Sequence, residues 1–179
     1  MRIQQESIVL RSAVLEDAPL LNVWWNDGTV MAHAGFPKGL GQSMEETRDA
    51  IRQYEGKLSQ LLIIEIDGQP VGEMSFGIGD NEANPGWKIC DPAFQNKGYG
   101  RKIIRMTFDH LFCDPTINNK IPIHRIVWDT NLQNTRAQHV YESMGAQRMG
   151  VRENCWTDQL GRPQSAVDYE LTREMYDAL

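Results

Sequence analysis

Apolar and polar positions along the chain follow two periods, two residues in some runs and about 3.6 in others, so strands and helices are both expected. Residues 7–12 put Ile8 and Leu10 on one side and predict a first strand. Asp17 and Pro19 open a helix with Leu20, Leu21, Trp24 and Trp25 on one face. Residues 26–42 are rich in glycine and hold Pro37, which predicts an irregular loop. Ser43 and Glu46 form the S-x-x-E pattern of a capping box, starting a second helix with Thr47, Ala50, Ile51 and Tyr54 inward. Residues 61–66 predict a strand, and 69–78 its partner across Asp67-Gly68, two residue types that tolerate positive φ. A short strand is expected over 85–90 and a helix over 98–112, striped by Ile103, Ile104, Phe108 and Leu111. A strand over 125–130 precedes a helix over 134–144, where Ala137, Val140, Tyr141 and Met144 recur at helical spacing and Gly145 suits a left-handed cap. Two strands, 146–154 and 165–171, complete the chain. Early strands joined by hairpins and later ones alternating with helices predict a mixed α/β sheet flanked by helices on both faces.

The chain has 179 residues, enough for one domain spanning 1–179 with a sizeable core. Hydrophobic residues make up 41% and charged residues 23%, and the net charge is −6. An acidic surface repels phosphate backbones, so nucleic acid is not an expected partner, whereas cationic partners are mildly favoured. No apolar run is long enough to cross a bilayer, and the first ten residues carry Gln, Glu and Ser where a signal peptide needs an apolar stretch. A cytoplasmic setting without membrane association is the expectation. Cys90, Cys113 and Cys155 are odd in number and widely spaced, which indicates neither a disulfide framework nor a zinc ribbon. His110 and Cys113-Asp114 have metal-binding residue types but no second pair at ligand spacing, so no metal is expected.

The most informative stretch runs from Asp91 to Lys102, between a predicted strand and a helix. Gly98 and Gly100 let the backbone approach a ligand closely. The first amides of the following helix lack intrahelical partners and carry the positive end of its dipole, and Lys97, Arg101 and Lys102 add positive charge. This is an anion site suited to a pyrophosphate. It matches neither a nucleotide P-loop nor the dinucleotide G-x-G-x-x-G fingerprint.

Gln95-Asn96-Lys97-Gly98-Tyr99-Gly100 resembles the Q/R-x-x-G-x-G/A motif of the GNAT (GCN5-related N-acetyltransferase) superfamily. Asn134-Thr135-Arg136-Ala137 with the 140–146 run resembles that family's N-x-x-A-x-x-x-Y-E-x-x-G-F block, with Ala146 in place of the usual aromatic. The element order agrees over about 6–171. Trp24-Trp25-Asn26-Asp27 and Gly86-Trp87-Lys88-Ile89 look most like the branch that includes ribosomal-protein N-terminal acetyltransferases, which also includes enzymes acting on polyamines and antibiotics.

The resemblance implies a domain that takes acetyl-CoA as co-substrate, without metal. Transfer would be by direct attack of a primary amine in a ternary complex. The amine would be a small basic molecule, an aminoglycoside-like antibiotic or a protein N-terminus. The strand ending at Ile89 and Cys90 would splay from its neighbour and pair with pantetheine, and Gln95, Asn96, Lys97, Gly98, Tyr99, Gly100 and Arg101 would hold the pyrophosphate. Asn134 would contact the coenzyme arm, although asparagine is equally a good helix N-cap. Tyr141 matches the family's tyrosine that protonates the leaving thiolate. A phenol near pKa 10 is close enough to a thiol near 8.5 for that role, and a core tyrosine would look the same. The stretch Gly86-Trp87-Lys88-Ile89-Cys90 offers no carboxylate; Glu73 on a central strand is the best candidate base, Glu82 in the loop before the coenzyme strand is the other, and an amine that arrives neutral needs none. Trp25, His33 and Phe36 border the expected acceptor entrance. Cys90 as a nucleophile lacks an adjacent histidine. A non-catalytic acyl-CoA-binding module of the same fold is the alternative, and exposed strand edges permit a homodimer.

Overall fold

The computed structural model describes residues 1–179. The elements are β1 (Arg2–Gln5), β2 (Ile8–Ser12), α1 (Ala18–Asn26), α2 (Gly28–Met31), α3 (Met44–Arg52), β3 (Gln60–Ile66), β4 (Gln69–Gly79) and β5 (Glu82–Ile89). They continue with α4 (Tyr99–Cys113), α5 (Pro115–Asn118), β6 (Arg125–Asn131), α6 (Thr135–Ser143), β7 (Gln147–Thr157), β8 (Pro163–Thr172) and α7 (Arg173–Asp177). The fold is mixed α/β, with antiparallel and parallel strand pairs.

Two compact units divide the chain, and neither is a continuous stretch of it. The first comprises Met1–Ala13, Gly56–Trp128 and Glu170–Leu179. Its strands are ordered β1-β2-β3-β4-β5-β6. Every pair from β1 to β5 is antiparallel, and β5 meets β6 in parallel. Asp67 and Gly68 both have positive φ (52° and 77°), the hairpin geometry expected of that dipeptide. Asp80 and Asn81 do the same (51° and 63°) and turn β4 into β5. α4 packs on one face of this sheet: Thr107 Oγ1 lies 3.5 Å from Met74 Sδ, and the Phe76 and His110 rings are 5.9 Å apart. Leu62, Ile64, Met74, Phe76, Phe108 and Phe112 are buried there, the apolar area whose removal from water holds the unit together.

The second unit comprises Val14–Glu55 and Asp129–Tyr169. Its strand order is β6-β8-β7, with β6 and β8 each contributing the part of their length that falls in it. The capping box forms as expected: Ser43 Oγ accepts from Glu46 N, and Ser43 N donates to Glu46 Oε2 at 2.7 Å. The segment expected to be an irregular loop contains α2 and a 3-10 turn over Ala32–Ala34. Asn26 accounts for that order, because its Oδ1 accepts from Gln42 N at 2.8 Å and its Nδ2 donates to Gln42 O at 2.9 Å, closing the segment end to end. Gln159, in the β7–β8 turn, fastens the middle. Its Oε1 accepts from Lys38 N, its Nε2 donates to Gly39 O, and its own N–H donates to Gly35 O. Gly35 (φ 93°) lies under the Trp156 ring, where a Cβ would stand 2.4 Å from Cζ3.

Candidate active site

The first unit brings together Glu73, Ile89, Cys90 and the 95–101 segment. β4 and β5 stay paired to Gly72↔Ile89, after which the N–H groups of Cys90 and Asp91 both donate to Val71 O. Asp91 Oδ1 accepts from Ala93 N and starts a 3-10 turn over Pro92–Phe94. Gln95 Nε2 then reaches back to Ile89 O at 2.8 Å. The amide expected to help hold a phosphate is thus used to fix the loop onto the strand end, occupying one of the two lone pairs of the Ile89 carbonyl. Asn96 (φ 60°) and Gly98 (φ 80°) are both left-handed and fold the chain sharply into α4. Lys97 is exposed, its ammonium 5.8 Å from the centre of the Phe94 ring.

Gly98 is the N-cap of α4 and has no side chain to give, so the first amides of a 15-residue helix are left for another acceptor. A Cβ built at Gly98 or Gly100 would meet nothing within 4 Å. The cradle is open on its inner side and carries the positive end of the helix dipole. Lys102 contributes less than its position in the sequence suggests, because its Nζ is 2.7 Å from Glu6 Oε2.

On the opposite side of β5 from β6, Glu73 is buried (8% exposed) and stands directly across from Lys88, with Oε1 and Nζ 3.1 Å apart. The candidate base therefore arrives already paired. Lys88 carries no signal in the sequence, since the strand register that aligns the two is not legible there.

In β5, the ladder to β6 stops early. Only Glu82↔Arg125 and Ala83↔Ile126 are paired, and beyond them Asn84 and Gly86 are exposed although β5 is an interior strand. The splay expected at this strand is present in that form.

The second unit holds the remaining candidates. Asn134 is the N-cap of α6: Oδ1 accepts from Ala137 N (3.3 Å) and Nδ2 donates to Thr130 Oγ1 (3.2 Å). Its capping role is thus observed, with one amide hydrogen and one lone pair in excess of these bonds. Tyr141 is half-buried in α6, and its ring meets Tyr169 edge-on at 5.3 Å. Tyr169 in turn donates to Glu142 Oε1. Trp25 is buried in the core of α1, whereas His33 and Phe36 are exposed in the segment that Gln159 fastens. The three are therefore unlike in what they can offer a ligand: Trp25 shapes the core, and only His33 and Phe36 present surface.

The model of the acetyltransferase (GNAT) domain matches residues 7–147, most of the chain. The chain belongs to the GNAT acetyltransferase family. No curated protein matches the sequence. Solved GNAT structures share the fold at low identity. A GNAT-family acetyltransferase of Bacillus anthracis is 22% identical, with 97% of this chain and 99% of that one covered and a TM-score of 0.77. Spermidine N-acetyltransferase from Vibrio cholerae, in complex with CoA and spermine, is 20% identical, with 96% and 99% covered and a TM-score of 0.80. RimL, a ribosomal L7/L12 alpha-N-protein acetyltransferase in complex with coenzyme A, is 16% identical, with 96% and 98% covered and a TM-score of 0.79.

Within this GNAT acetyltransferase, the electrostatics of Tyr141 depart from the sequence expectation. Burial first, and then the negative charge of Asp129, push the phenol up to about 12. Asp129 is itself held by Arg152 at 2.6 Å, which tempers its share. Tyr141 keeps its proton throughout the neutral range and is a weaker acid than a phenol in water. It is suited to donating a hydrogen bond to a developing thiolate, rather than to ionising ahead of it. Tyr169 is likewise pushed up to about 12, by burial and its bond to Glu142.

These shifts have a consequence for stability. An unfolded tyrosine ionises near 10, so between about pH 10 and 12 the folded state binds more protons than the unfolded one, and stability falls as pH rises. Thermal melts from pH 8 to 11.5 should show a drop in Tm that begins near 10, together with delayed phenolate absorbance. Replacing both Tyr141 and Tyr169 by Phe should make the drop shallower without abolishing it, because burial and the bond to Asp109 raise Tyr176 as well; an equally steep fall in the double variant would refute the assignment.

Proposed function

We propose that this GNAT acetyltransferase moves the acetyl group of acetyl-CoA onto a primary amine of a cationic acceptor, in a ternary complex. The observation that carries the proposal is the cradle. It has an uncapped helix terminus, two glycines open on the ligand side and flanking basic residues, set at the end of a strand that its neighbour has left. In this reading the amides of the first turn of α4, with Lys97 and Arg101, take the pyrophosphate. The free edge of β5 up to Ile89 and Cys90 takes the pantetheine arm, with Asn134 as a further contact.

The amine nitrogen attacks the thioester carbonyl carbon, and the oxyanion that forms is steadied by a backbone N–H of β5. Collapse breaks the C–S bond, and Tyr141 donates to the departing thiolate. The proton that the nitrogen loses is assigned to Glu73, whose Oε1 is held by Lys88. A neutral amine needs no base for the attack itself, so Glu73 acts after the bond has formed. His33 and Phe36 are assigned to the acceptor entrance. The net charge of −6 favours cationic acceptors. Neighbours named for spermidine and for a ribosomal-protein N-terminus make these the first two acceptor classes to try.

The deciding experiment follows the release of free coenzyme A thiol from acetyl-CoA with polyamines, aminoglycosides, amino acids and short peptides of varied N-termini. Acceleration by one class is expected and names the acceptor. Saturable binding of coenzyme A with no amine giving turnover would overturn the catalytic reading in favour of a binding module.

A further inference from the structure

The splay of β5 from β6 begins at one residue. In the parallel ladder, Glu82 pairs with Arg125 and Ala83 with Ile126. The next pair in register would be Asn84 with Val127. Instead, Asn84 Nδ2 donates to Val127 O at 2.7 Å. A side-chain amide is longer than a backbone N–H, so a carbonyl satisfied this way stands farther from the opposing strand than a ladder bond would allow. Pro85 follows, with no N–H to offer, and proline is a residue that ends ladders.

Both sides of this point are braced. Below it, Arg125 Nε is 2.8 Å from Glu82 Oε2 and its Nη1 is 3.1 Å from Glu170 Oε2, which clamps the paired end. Above it, on the α4 side, an aromatic group fills the widening gap. Trp87 of β5 and Trp128 of β6 meet edge-on at 5.9 Å, and both pack on Phe108, at 6.1 and 5.4 Å. Trp87 is fixed in turn by its Nε1 bond to Thr107 Oγ1 at 2.9 Å. The other side is open: Asn84 and Gly86 are exposed, and a Cβ at Gly86 would meet nothing within 4 Å.

We infer that Asn84 is a positioning residue: where Pro85 ends the β5–β6 ladder, its side-chain bond to the Val127 carbonyl sets the spacing of the two strands and so the width of the slot for the amide-bearing arm of coenzyme A. This inference rests on the coenzyme reading above. Asn84 touches no reacting atom, and its contribution is to hold the edge of β5 at a fixed distance from β6. Without its amide, Val127 O loses this partner, Pro85 has no N–H to replace it, and the slot is no longer held at one width.

The test is calorimetric titration of the full chain with coenzyme A, which needs no knowledge of the acceptor. Asn84→Ala is expected to raise Kd about tenfold, the scale of one lost hydrogen bond or its equivalent in closure. Tm should fall by no more than a few degrees, the scale of one exposed hydrogen bond. Asn84→Ser, whose hydroxyl is too short to reach the carbonyl, should behave alike. Asn81→Gly removes the comparable bond from Asn81 Nδ2 to Pro122 O outside the slot and should leave Kd unchanged. Amide hydrogen exchange over residues 86–88 and 127–128 should quicken in the Asn84 variants and stay unchanged in Asn81→Gly, which separates loss of strand spacing from loss of any one surface contact. Wild-type affinity and unchanged exchange in both Asn84 variants would overturn the positioning role alone. Failure of the wild type itself to bind coenzyme A would overturn the coenzyme reading along with it.

Discussion

Gly100→Leu is expected to weaken acetyl-CoA binding by about 30-fold, roughly two kcal/mol of charge-assisted hydrogen bonding, while the protein becomes no less stable. The two effects separate because of where Gly100 sits. It is the second residue of α4, and a Cβ there meets no protein atom within 4 Å. A side chain thus leaves the fold undisturbed at its Cβ, and in a helix leucine is favoured over glycine by up to about 1 kcal/mol. The motif that Gly100 closes admits alanine as well as glycine, so a longer side chain is needed to fill the space that the proposal gives to the pyrophosphate and to push it away from the amides of the first turn. Titration with coenzyme A beside a thermal melt measures both quantities. Full affinity in Gly100→Leu would mean that no phosphate approaches this backbone. A fall in Tm matching the loss of affinity would mean that the residue matters for folding rather than for the ligand.

Tyr141→Phe is expected to lower kcat about 100-fold, within the usual range for removing a group that transfers a proton or donates to a leaving atom, with the Kd of acetyl-CoA changed less than about twofold. The ring stays, and with it the edge-on contact to Tyr169, so the fold should survive the change. Because the phenol is pushed up to about 12, kcat of the wild type should show no loss from ionisation of Tyr141 below about pH 10. Steady-state kinetics with the best acceptor, from pH 6 to 9.5, settles the point. An unchanged kcat in the variant would remove Tyr141 from the reaction, and a wild-type decline centred near pH 8 would assign the titrating group elsewhere.

The parts of this fold written in local chemistry were readable in advance. Asp67-Gly68, the Ser43–Glu46 box and Gly145 (φ 87°) each announce a turn or a helix end by residue type, and the structure has each where expected. β1 leaves no mark in the sequence, because Arg2–Gln5 has almost no apolar alternation; an edge strand paired only to β2 needs little of it. The Asp80-Asn81 turn lacks the glycine that usually marks a hairpin, and Pro85 argues against a strand before it, although β5 begins at Glu82. α2, α5 and α7 have four or five residues each, too few for a helical period to show.

The candidate site divides the same way. The cradle is one contiguous segment, and its glycines speak for themselves. The Lys88 partner of Glu73, the Asn84 bond to Val127 and the Gln95 bond to Ile89 are set by strand register and loop closure, which emerge only in the folded chain. The shift of Tyr141 belongs to that second kind too, since burial is a property of the neighbours.

Gln159 carries a lesson for redesign. Because its one side chain and its own amide hold residues 35, 38 and 39, and Trp156 roofs Gly35, the 26–42 segment, proposed above to border the acceptor entrance, is not a portable cassette. A graft of residues 26–42 from another GNAT enzyme would arrive without its fastening. The β7–β8 hairpin tip has to travel with it, so recombination here has to exchange two segments rather than one.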